Sequence, residues 1–162
     1  MNTCLPAPRI RGKTTEAEMP PVQEMRSIAE VMEYRFPPLI ERIKKELRLS
    51  EDDAQQLFSD MLMFLYICGT NTKQNRYSPP KMIDEAWHTF IIFTGEYAKF
   101  CHENFGRFLH HNPFTRENRA TEMKKVVPII PVARQMFGAL SKNWKPGPVA
   151  AICTDDGDCG CP

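Results

Sequence analysis

Three groups of residues in this chain carry side chains suited to chemistry. Asp84 and His88 stand four positions apart in Asp-Glu-Ala-Trp-His, His110 and His111 are adjacent in Gly-Arg-Phe-Leu-His-His, and Cys153, Cys159 and Cys161 fall among Asp155, Asp156 and Asp158. An acid and an imidazole at i and i+4 meet on one helix face, where the carboxylate can fix the ring's tautomer and raise its basicity. That pairing serves a metal-bound histidine, a general base or a simple surface contact. Three thiolates on one segment suit a soft ion such as zinc or copper, with Cys159 and Cys161 as a two-point grip. Tetrahedral zinc would need a fourth ligand, such as a histidine from the body, an aspartate or a second chain. The alternative for that tail is an acidic segment whose thiols are incidental.

Reach along the chain separates these groups. The pattern predicts one long helix from an N-cap at Ser78, with Pro79 and Pro80 in its first turn, to about Phe105, ended by Gly106 in a left-handed conformation. Ile83, Trp87, Phe90, Thr94, Tyr97, Cys101 and Phe105 would form its core face, with Asp84, His88, Gly95 and His102 on a flank. His102 would then lie roughly 21 Å from His88 along the axis. Five extended residues after Gly106 span at most about 18 Å, which leaves His111 some two turns short of His88. A single site built from His88, His110 and His111 is strained on this reading. The histidine pair is expected instead to cap the C-terminal end of the helix, where the macrodipole favours positive charge.

The elements that must position these residues are also helical in pattern. Val22, Met25, Ile28, Ala29, Met32 and Phe36 predict a first helix over 21–36, closed by Pro37. Pro37 and Pro38 can open a second, with Leu39, Ile40, Ile43 and Leu47 on one face. Ser50 and Asp53 read as a capping box for a third, which ends at Gly69 and is apolar nearly all round in its second half, a mark of the core centre. Residues 70–77 read as a polar surface loop. A cap at Thr115 starts a helix containing Met123, Val126 and Val127, and Pro128 with Pro131 breaks it before a last segment through Leu140. No run alternates like a strand. The expected architecture is all-α: a compact bundle of about five to six helices over 21–140, an extended N-terminal arm over 1–20, and a Pro/Gly linker with a Cys/Asp-rich tail over 141–162.

The chain has 162 residues, enough for one core, and its 42% hydrophobic and 25% charged content is that of a folded domain. Twenty-one basic against 20 acidic residues leave no electrostatic footprint for nucleic acid or anionic membrane, so the expected partner is another protein. The longest apolar run, 61–68, is far short of the roughly 20 residues that cross a bilayer, and the N-terminus carries no apolar signal core. Cys68 and Cys101 sit inside apolar helical patterns, where a reduced thiol packs as a small hydrophobe, so a cytoplasmic, reducing setting is expected.

The run Pro-Lys-Met-Ile-Asp-Glu-Ala-Trp-His-Thr-Phe-Ile over 80–91, then Tyr97, Phe100, Cys101 and Gly-Arg-Phe-Leu-His-His-Asn-Pro over 106–113, resembles the bacterial glycine-rich-domain-containing-protein-like family. The resemblance implies Asp84, Trp87, His88, Tyr97, Cys101, Gly106 and His111 as signature positions, with His110 beside them. It implies no reaction. The chain contains no P-loop, dinucleotide fingerprint, HExxH or nucleophile elbow, and the Asp84 and His88 pair lacks the substrate-positioning groups of a general base, so an enzyme is not indicated. The expected function is a small helical interaction module that docks through its arms and the 84–111 region. The alternative is metal binding or handling by Asp84, His88 and the cysteines Cys153, Cys159 and Cys161.

Overall fold

Serine and proline residues set where the first three helices begin. The computed structural model describes residues 25–73, 75–115, 117–145 and, through the backbone alone, 151–154. Ser27 and Glu30 close a reciprocal capping box, so α1 (Ile28–Met32) starts later and is shorter than the apolar spacing over 21–36 predicts. Its buried residue is Val31, which that spacing passed over, while Met25 and Ala29 are exposed. Pro37 and Pro38 occupy the first turn of α2 (Pro37–Leu47), which buries Leu39, Ile40 and Ile43 as expected. The Ser50 hydroxyl accepts the Asp53 N–H and opens α3 (Glu51–Gly69), the central helix, which packs Leu57, Met61, Phe64 and Leu65 with no exposure. Gly69 is required where it stands, because an added Cβ would lie 2.3 Å from the Phe105 ring.

The single long helix expected after Ser78 is two helices. Pro79 and Pro80 each push the preceding residue out of the helical region, so α4 (Lys81–Ile92) opens after both, with Pro80 rather than Ser78 at the N-cap. At Phe93 the backbone leaves the helix, with ψ 59°, and α5 (Thr94–Phe105) begins. The run Ile-Ile-Phe-Thr-Gly around this point is poor in strong helix formers. The Trp87 indole N–H donates to the Tyr97 hydroxyl at 3.0 Å, although ten residues of straight helix would separate them by about 15 Å. α5 is therefore folded back on α4, and Thr94, expected on the core face, is exposed at the bend.

The remaining chain is mostly helical too: α6 (Arg119–Met123), α7 (Ile129–Phe137) and a 3-10 turn, Lys142–Trp144. Pro131 does not break α7 but sits third in it, where its missing N–H would have had no intrahelical partner. Val126–Val127, read as helical from the sequence, form strand β3; Arg76–Tyr77, in the expected polar loop, form β1 and bury Tyr77. With β2 (His110–Pro113) and β4 (Ala151–Thr154) they make a small sheet in the order β2-β4-β1-β3, with β1 and β3 parallel and the other pairs antiparallel. Strands of two to four residues are too short for an alternation to register. Among the described residues seven α-helices dominate the fold, and none is long and apolar enough to cross a membrane. The N-terminal arm, Cys4, Cys159 and Cys161 lie outside the described residues.

One buried carboxylate ties the C-terminal segment to the central helix. Asp60 of α3 accepts the Ser141 hydroxyl at 2.6 Å, the Asn143 amide at 2.8 Å and the Trp144 indole N–H at 3.0 Å. The stretch from Ser141, loop-like in sequence, is thus docked through Trp144, which is 3% exposed. Asp60→Ala strands the Asn143 and Trp144 donors in the interior and should cost about 2–4 kcal/mol of folding stability. Urea unfolding followed by tryptophan fluorescence measures this; an unchanged midpoint would show that Asp60 does not hold the segment.

Candidate metal centre

Asp84 lies in the first turn of α4, and His88 follows one turn later on the same face. The spacing predicts that the two pair with each other. The Asp84 carboxylate is instead engaged by His111, whose Nε2 lies 2.8 Å from Oδ1, with both side chains less than 10% exposed. The His88 ring lies against that of His111, with their centroids 4.2 Å apart, and His88 itself is exposed. Together the three residues offer ligand atoms that all fall within 4.8 Å of one another.

His111 comes within reach of Asp84 and His88 because residues 81–105 are two helices rather than the one straight helix that left it two turns short. The bend at Phe93 sends α5 back alongside α4, so Gly106 and the chain after it return toward the start of α4 rather than leaving from a distant end. Gly106 takes the expected left-handed conformation, φ 68°, and its N–H closes on the His102 carbonyl. His110 and His111 then lie on β2 and do not cap the helix. Successive strand residues face opposite ways, so His111 reaches Asp84 while the His110 ring packs beside Phe108 at 4.8 Å. His102 is exposed on α5, apart from the three.

A buried relay sets the position of His111. The Tyr97 hydroxyl accepts the Trp87 indole N–H and donates to the Leu109 carbonyl at 2.6 Å, two residues before His111. Trp87, locked in this way, lies at 4.4 Å and 62° to the His111 ring. Trp87, Tyr97 and Cys101 are each at most 1% exposed, so these motif members hold the frame while Asp84, His88 and His111 carry the polar groups. The backbone of Cys153 stands at the β4 position paired with His111.

The model of the UCP032817-like family matches residues 26–126. The chain belongs to the UCP032817-like family. No curated protein and no solved structure matches the chain. This corrects the resemblance to glycine-rich-domain-containing proteins, which the matching family does not support. The motif behind that resemblance is largely a packing solution, a Trp and a Tyr joined across a helix bend, and such a solution does not specify one lineage. The UCP032817-like match spans Asp84, His88, His111 and the whole Trp87, Tyr97 and Leu109 relay.

The chemistry open to the cluster follows from its donors. One carboxylate and two imidazoles form a set that suits zinc and neighbouring divalent transition metals. Metal bonds of about 2.0–2.2 Å place tetrahedral ligand atoms about 3.4 Å apart. An ion could therefore replace the 2.8 Å contact of Asp84 and His111 with a shift of about half an ångström in their separation. Tyr97→Phe removes both hydrogen bonds of the relay and leaves a buried indole N–H and a buried carbonyl unpaired. It should lower stability by about 1–3 kcal/mol, as read by chemical unfolding; a variant as stable as the parent would show that the relay does not hold β2.

Proposed function

We propose that this protein binds a divalent transition-metal ion through Asp84, His88 and His111, zinc being the ion its donor set suits best. The observation that carries this reading is the convergence of three ligand groups from two elements, with His111 arriving 23 residues after His88 in sequence, to within 4.8 Å. Asp84 and His111 are held in place by packing before any ion arrives, so little ordering entropy opposes binding. The solvent-facing His88 gives an ion a route in.

The docking module expected from the sequence would act through residues 1–20, which lie outside the described residues, through the partly described tail and through the 84–111 region. Within the described residues, the large exposed apolar side chains Met25, Ile92, Met123 and Met136 fall on four separate segments. The 84–111 region therefore supports metal binding more directly than it supports docking.

The test is zinc titration of the full-length, reduced, untagged protein by calorimetry. One ion per chain is expected, and His88→Ala, an exposed site that should leave the fold intact, should weaken binding by more than about tenfold. Asp84→Asn and His111→Ala should weaken it likewise, with circular dichroism confirming that each variant is folded. A parent protein that takes up no stoichiometric ion, or a His88→Ala variant that binds as tightly as the parent, would overturn the reading.

A further inference from the structure

The small sheet brings a fourth chemistry-bearing residue to the cluster. β4 lies between β2 and β1, and its register pairs Cys153 with His111 on one side and with Tyr77 on the other. Residues paired across an antiparallel ladder have Cα atoms about 4.5–5.5 Å apart and share a face of the sheet. The cysteine is thus placed, by backbone pairing alone, beside the one histidine that engages Asp84. The juxtaposition joins two parts of the chain 42 residues apart, each carrying metal-binding residue types.

We propose that Cys153 is the fourth metal-binding residue, which completes an Asp84, His88, His111 and Cys153 site. The proposal rests on the metal reading above and extends it. Three donors leave a zinc-class ion one short of the four it takes in a closed structural site. A thiolate as the fourth would balance the charge, because two anionic and two neutral ligands neutralise a divalent cation. Cys153 binds as the thiolate, with its proton released to solvent as the metal–sulfur bond forms, so no oxidant or reductant is needed. From the sequence alone, a histidine of the body is one option for the missing ligand of the thiol tail, with no one histidine specified. The register of β4 against β2 identifies His111 as that histidine.

Cobalt(II) substitution tests this, because thiolate ligation gives an intense near-ultraviolet charge-transfer band that nitrogen and oxygen ligands do not give. The full-length, reduced protein loaded with one equivalent of cobalt(II) under anaerobic conditions should show visible ligand-field bands together with the thiolate band. Cys153→Ser should abolish the thiolate band, keep ligand-field bands, and weaken cobalt binding by at least about tenfold. Cys159→Ser combined with Cys161→Ser should leave the band in place. Cobalt bound without a thiolate band in the parent, or a band that survives Cys153→Ser, overturns the role of Cys153 and leaves the three-residue site standing. Failure of the parent to bind cobalt at all overturns both.

Discussion

The phenol of Tyr97 is the contact on which the site depends. Its oxygen joins three stretches of chain: α5, on which it stands, α4 through the Trp87 indole, and the approach to β2 through the Leu109 carbonyl. A buried indole N–H and a buried carbonyl each lose more when left unpaired than a single hydrogen bond contributes when made. The arrangement that satisfies both with one hydroxyl is therefore strongly selected over neighbouring ones. In that arrangement α5 lies against α4, and His111 is delivered to Asp84.

Packing around this contact makes it rigid. Phe90 meets Tyr97 edge-on at 5.1 Å and Phe100 at 5.3 Å, so the bend at Phe93 closes over aromatic rings. α3 lies beneath, with Phe64 at 5.5 Å from Trp87. Asp60 on the same helix gathers the donors of Ser141, Asn143 and Trp144, which gives the end of the helical body a second polar anchor. The central helix thus supports the frame of the candidate site with its apolar side chains and docks the last segment of the body with one carboxylate.

The family match and the fold divide the proposed site in a useful way. Asp84, His88 and His111 lie within the 26–126 span that defines membership of the UCP032817-like family, whereas Cys153 and the residues bound by Asp60 follow it in sequence. The imidazole and carboxylate donors therefore belong to the shared part of the chain. The thiol is a feature of the segment beyond it, joined to the rest through strand pairing.

Several elements were legible from local chemistry alone. Prolines at the start of α2, Ser50 ahead of α3 and Gly106 after α5 each act through the backbone of their own turn, so their effect is visible in sequence. The i, i+4 spacing of Asp84 and His88 likewise placed the two residues one turn apart on a single helix. The bend at Phe93 was not legible, because the apolar period of the two helices happens to continue in phase across it; the Phe93 backbone and the meeting of Trp87 with Tyr97 distinguish two helices from one. The partner of Asp84 was hidden for the same reason. A carboxylate's nearest neighbour in sequence is set by helix geometry, but its partner in a folded protein is set by which distant segment the core brings back, here β2 with His111.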